Sequence, residues 1–120
     1  MEIFTKILIG CIALLHIYIL VLEMFLWTKR GPKVFRSFPK ELFPPTKAMA
    51  ANQGLYNGFL AAGLLWSLII SDPVWSKNVA LFFLGCIAVA GIYGAYSASK
   101  KIFFIQTVPA LLAILFVFIS

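Results

Sequence analysis

Four apolar runs of roughly twenty residues each leave this chain few folds to choose from. They occupy about residues 4–27, 48–71, 78–97 and 102–119. Helix breakers and charges separate them: Pro44-Pro45 before the second run, Asp72-Pro73 after it, and Lys100 and Lys101 between the last two. Hydrocarbon offers no water to peptide groups, so each run must close its own hydrogen bonds as a helix. The connections after the second and third runs are short, which makes those neighbours antiparallel. The expectation is an all-α, polytopic membrane protein: a four-transmembrane-helix bundle in one domain, with a basic loop at 28–47. Composition agrees, at 62% hydrophobic and 12% charged residues, where a soluble domain has about 45–50% apolar residues. The first run is longer than the apolar core of a signal peptide and lacks a small-residue cleavage site, so it reads as a retained span.

Charge orients the spans. The net charge of +6 is concentrated. Lys29, Arg30, Lys33, Arg36, Lys40 and Lys47 fall in the first loop, Lys100 and Lys101 in the third, and only Lys6 and Lys77 on the opposite side. That asymmetry places both basic loops in the cytoplasm and both termini outside it, in a bacterial cytoplasmic (inner) membrane. Trp27 and Trp75 suit interfacial anchors. Because the cations sit in a short connection rather than on a soluble element, no nucleic-acid partner is implied. In the first loop Val34, Phe35, Phe38, Leu42 and Phe43 alternate with Lys33, Arg36 and Lys40, as in a segment lying on an anionic leaflet. Gly31, Pro32 and Pro39 forbid one long helix there. Such a loop either anchors the chain or acts as a lid.

The polar groups inside the spans are few and co-located. His16 and Glu23 are seven residues apart and share one helix face, with Leu20 and Trp27 on the same stripe. An ionisable group in a span is costly, by about 2.5–3.5 kcal/mol on insertion scales. At 1.5 Å rise per residue, Glu23, Asn52, Gln53, Tyr93 and Gln106 all fall roughly 6–8 Å from the cytoplasmic end of their helices, and Asn57 and His16 roughly 13–17 Å. Asn52 with Tyr56, and Gln53 with Asn57, are i,i+4 neighbours on one arc of the second span. A bend at Pro109 would open space above Gln106. These placements describe a polar pocket in the cytoplasmic half. Taken singly, the amides also suit plain interhelical packing bonds, worth about 0.6 kcal/mol each.

In such a pocket Glu23 and His16 form an acid/base pair for a lipophilic substrate, and Asn52, Gln53, Tyr56, Asn57, Tyr93 and Gln106 line or orient the ligand. The expected partners are the bilayer and a small hydrophobic or amphipathic molecule. Two alternatives stay open: a proton-coupled transporter that uses Glu23 as its exchange site, and a structural or accessory subunit. One His and one Glu leave a metal's first shell short, and no phosphate loop, dinucleotide fingerprint or Ser-His-Asp constellation is present, so no cofactor is assigned. Cys11 and Cys86 lie in different runs and read as small apolar packing residues. Gly54-x-x-x-Gly58 with Ala62, Ala90-x-x-x-Gly94 and Gly91-x-x-x-Ala95 permit close helix approach, within one chain or in a homo-oligomer.

Several of these runs carry a family resemblance. His16-x-Tyr18, Leu22-Glu23-Met24-Phe25-Leu26-Trp27, and Ala51-Asn52-Gln53-Gly54-Leu55-Tyr56-Asn57-Gly58-Phe59-Leu60-Ala61 resemble the domain of unknown function 1304 family of small bacterial membrane proteins. Ala90-Gly91-Ile92-Tyr93-Gly94 and Gln106-x-x-Pro109-Ala110 add to the likeness, which covers essentially the whole chain. It implies a four-helix membrane protein and carries no activity over. Small multidrug exporters are similar in length, span number and a first-span glutamate, but lack so strong a charge bias. Membrane glutathione transferases are similar in helix number, but surround their ligand with arginines, whereas Arg30 and Arg36 lie in the loop. The sterol-isomerase-like group is similar in its cavity chemistry alone.

Overall fold

A computed structural model describes residues 1–120, and it is all-α with no strand. Helix α1 covers Ile3–Phe25, the short α2 Gly31–Val34, α3 Lys47–Ile69, α4 Pro73–Ser97 and α5 Val108–Ile119. A 3-10 turn at Lys40–Leu42 lies between α2 and α3, and a π-helical stretch at Phe103–Thr107 leads into α5. Local chemistry explains the boundaries. Asp72 caps α4: its Oδ1 accepts from the backbone N–H groups of Val74 at 2.9 Å and Trp75 at 3.2 Å, and Pro73 takes a first-turn position where no N–H is required. Pro109 can donate no bond to the turn before it, and its ring crowds the carbonyl four residues back. The chain widens just ahead of it, where the Val108 N–H donates to the Phe103 carbonyl five residues earlier. The bend expected at Pro109 thus takes the form of a π stretch.

Of the expected spans, α1 and α4 are long and apolar enough to cross a bilayer. Helix α3 has 23 residues but carries Lys47, Asn52, Gln53 and Asn57. The last apolar helix, Phe103–Ile119, is shorter.

The chain forms two compact units, to which α1 and α3 both contribute. The first comprises Met1–Ala13 and Ala62–Ser120. Its buried positions recur at helical spacing and are mostly small: Ser76, Ala80, Leu84, Ile87, Ala88 and Gly91 on α4, and Ala110, Ala113 and Val117 on α5. Several polar side chains in this interior bond to backbone carbonyls. Ser76 Oγ donates to the Ser67 carbonyl at 2.7 Å, and Thr107 Oγ1 to the Ala88 carbonyl at 3.0 Å. The closest approach is at Gly91, where a Cβ would meet Thr107 Oγ1 and lie 2.8 Å from the Thr107 backbone nitrogen.

The second unit, Leu14–Ala61, holds the rest of α1, the basic loop and the start of α3. The loop is folded around Trp27, whose ring lies 5.6, 6.0 and 4.8 Å from those of Phe35, Phe38 and Phe43. Trp27 Nε1 donates to Thr46 Oγ1 at 3.0 Å, and Thr46 Oγ1 donates to the Leu42 carbonyl at 2.7 Å. Gly31 makes room for this cluster, because a Cβ there would come within 2.6 Å of the Phe43 ring. Arg30 Nε donates to the Tyr18 hydroxyl at 2.7 Å, tying the loop back to α1.

Candidate functional site

In the second unit α1 turns the His16 and Glu23 positions inward, and both side chains are buried. Helix α3 answers with a seam of Ala50, Gly54, Asn57 and Ala61, spaced four, three and four residues apart, which keeps them on one face. The small residues let the backbones close up. A Cβ on Gly54 would sit 2.8 Å from Met24 Cγ, 3.0 Å from Glu23 Cβ and 3.2 Å from the Leu20 carbonyl oxygen, and one on Gly58 would strike Leu20 Cδ1. This approach brings Asn57 Nδ2 to Glu23 Oε1 at 2.9 Å, in a buried hydrogen bond between residues 34 apart in the chain.

The bond engages only part of each group. Asn57 Nδ2 also donates to the Gln53 carbonyl of its own helix at 3.1 Å, so both of its hydrogens have acceptors. Glu23 Oε2 and Asn57 Oδ1 take no hydrogen bond from the chain, yet neither is sealed from the surface. The two residues retain 7% and 8% of their accessible area. Two such acceptors can receive the donors of a hydroxyl or amine. His16 lies two turns from Glu23 on the same stripe of α1 and is fully buried.

The remaining candidate positions are placed differently. Asn52 is exposed and its Nδ2 donates back to the Ala48 carbonyl at 3.0 Å. Gln53 and Tyr56 are also exposed, with the Tyr56 ring 6.1 Å from that of Phe59. Tyr93 and Gln106 belong to the first unit. There Tyr93 is exposed beside Tyr96, and Gln106 is half-buried in the π stretch against Gly91. Glu23 and Asn57 are therefore the pair the fold joins directly. Thr46 and Thr107 carry tertiary hydrogen bonds that no sequence pattern singled out; a lone threonine beside a proline or within an apolar run gives no such signal. No three His, Cys, Asp or Glu side chains gather closely enough to hold a metal ion.

Comparison with known proteins adds a family. The family described as "Protein of unknown function (DUF1304)" matches residues 10–118. The chain is 32% identical over 117 residues to the uncharacterized protein YpaA of Lactococcus lactis subsp. lactis (strain IL1403), covering 96% of this chain and 97% of that one. No solved structure matches.

Proposed function

The chain belongs to the DUF1304 family, and from that premise we propose an integral protein of the bacterial cytoplasmic (inner) membrane. In this reading it crosses the membrane four times and binds a small hydrophobic or amphipathic molecule at Glu23, with acid/base conversion within the reach of Glu23 and His16. The outward-facing side chains support the membrane part. Phe4 and Leu14 on α1, Ile69 on α3, Phe82 and Val89 on α4, and Phe118 on α5 are all exposed, Ile69 at 79% and Phe118 at 71%. Many buried positions are small, Ala, Gly, Ser or Thr, set among larger ones such as Ile9, Leu64, Leu84 and Ile87. A protein in water rarely exposes contiguous apolar patches above a few hundred Å²; large apolar residues outside and small ones between helices suit lipid. Asn52 and Gln53 lie within the first two turns of α3, a depth at which polar groups meet headgroups. The 17-residue helix Phe103–Ile119 is at the lower limit of a span, about 17 residues. The charge asymmetry supports a loop at 28–47 in the cytoplasm and both termini outside; a terminal tag protected from label in intact spheroplasts contradicts that placement.

The binding part is carried by one observation. Glu23 is held by Asn57 at one oxygen, while its second oxygen accepts no hydrogen bond from the chain and the residue keeps a small accessible area of 7%. A ligand donor completes the shell of the carboxyl group, and the surrounding apolar helices take the ligand's hydrocarbon. Exposed Tyr56 and Gln53 on the adjoining arc of α3 are positioned to meet its outer part.

Thermal unfolding of the detergent-solubilised chain with lipophilic amines, alcohols and carboxylic acids tests this reading. The expected result is a compound that raises the wild-type midpoint saturably and binds Glu23→Gln at least tenfold more weakly. Equal stabilisation of both proteins contradicts the assignment to Glu23. A second reading rests on Asn57, whose two donors are both used within the chain: the pair is then a structural lock between helices, and Glu23→Gln changes stability alone.

A further inference from the structure

The loop at 28–47 contains the most concentrated charge in the chain, with six cations against the single carboxylate of Glu41. Four of the six do more than share a segment. Lys29, Lys33, Arg36 and Lys40, with Pro32 and Phe38, line one open cavity of about 410 Å³. None of the four forms an ion pair. Glu23, the other carboxylate of this unit, is buried and bonded to Asn57. No carboxylate of this unit is paired with a cation of the cavity, so four positive side chains share it without a carboxylate partner.

The cavity is also held in shape. Phe38, in its wall, packs edge-on against Phe43 at 4.9 Å and against Trp27 at 6.0 Å, and Trp27 is fixed by Thr46. Backbone bonds from Phe35 N–H to the Gly31 carbonyl at 2.8 Å and from Leu42 N–H to the Pro39 carbonyl at 3.0 Å close the turns on either side. Arg36 Nε donates to the Lys33 carbonyl at 3.4 Å, which folds the guanidinium back over the turn and leaves its terminal nitrogens for an anion.

We propose that this cavity binds the phosphate-bearing headgroup of one anionic phospholipid. Lys and Arg are the side chains suited to a phosphate, Arg by two parallel bonds. A soluble phosphate ester shares that chemistry, but Pro32 and Phe38 line the same space and have no role toward a fully hydrated anion. They fit the glycerol and first methylenes of a lipid. The loop's cytoplasmic placement would put the site at the anionic leaflet, where each nearby cation adds about 1 kcal/mol of attraction. The inference rests on the proposed membrane setting and is independent of the Glu23 site.

Titrating the detergent-solubilised full chain with short-chain phosphatidylglycerol, followed by tryptophan fluorescence in a Trp66→Phe/Trp75→Phe background that leaves Trp27 as the reporter, tests it. Phosphatidylcholine of the same chain length and glycerol 3-phosphate are the comparison ligands. Saturable one-to-one binding of phosphatidylglycerol is expected, with at least tenfold weaker binding of both comparison ligands. Lys33→Gln/Arg36→Gln should weaken it at least tenfold, whereas Lys100→Gln/Lys101→Gln, which removes equal charge elsewhere, should leave it unchanged. Equal losses in the two double variants, or binding that never saturates, would mean diffuse attraction and overturn the site. Glycerol 3-phosphate binding as tightly as the lipid would overturn the lipid assignment.

Discussion

Gly91→Ala is expected to lower the thermal midpoint of the detergent-solubilised protein on the order of 10 °C. The added methyl would overlap Thr107 Oγ1, and it would lie 2.8 Å from the Thr107 nitrogen and 3.0 Å from Gln106 Cβ. A flexible side chain could rotate away; the backbone of the π stretch cannot. Thr107 is further pinned by its bond to the Ala88 carbonyl at 3.0 Å. Overpacking of this kind costs about 1–3 kcal/mol, and contact with backbone places it at the upper end. Alanine gains about 1 kcal/mol over glycine in a helix interior, which offsets only part of that loss. Gly85, on the same helix, is the internal control, because a Cβ there meets nothing within 4 Å. Gly85→Ala should leave the midpoint unchanged or raise it slightly. Similar shifts for the two variants would mean that the α4–π contact is not the close approach described.

Asn57→Leu should destabilise the protein by about 2 kcal/mol. It deprives buried Glu23 of the donor at 2.9 Å. In the proposed membrane setting, hydrogen bonds between helices average only about 0.6 kcal/mol and reach about 1.7. A carboxyl acceptor left without its donor moves this one to the top of that range or beyond it. Glu23→Gln retains an acceptor oxygen for Asn57 and should cost less than about 1 kcal/mol. Removing both groups in Glu23→Leu/Asn57→Leu should recover much of the loss, giving a coupling of at least about 1 kcal/mol. Unfolding in mild detergent, for the two leucine variants and their combination, measures that coupling. Strict additivity would mean that the pair does not act as a unit.

The helical character of this chain was legible because its apolar runs leave no other way to satisfy the backbone, and the Asp72-Pro73 pair announces the start of α4. The stripe of His16, Leu20 and Glu23 was legible from spacing alone, since all three lie within one arc of an ideal helix. The rotation of α3 was not. Asn52, Gln53, Tyr56 and Asn57 are all polar and contiguous, so residue type cannot say which of them faces inward. Gly54 and Gly58 decide it: their missing side chains seat Leu20, and that contact turns Asn57 toward Glu23 and leaves Asn52 and Tyr56 outside. The basic loop reads as amphipathic from its composition. Its closure around Trp27 depends on rings from positions 35, 38 and 43 meeting in space, which no local pattern specifies. Pro109 signals a break, but the π stretch ahead of it, with Thr107 bonded to the Ala88 carbonyl, has no pattern of its own in the sequence.

Native mass spectrometry of the protein extracted from its own membrane, wild type beside Glu23→Gln, tests the ligand-binding account most directly. A defined small-molecule adduct is expected on the wild type and not on the folded variant. Bare protein in both samples, or the same adduct on both, would contradict a ligand site at Glu23.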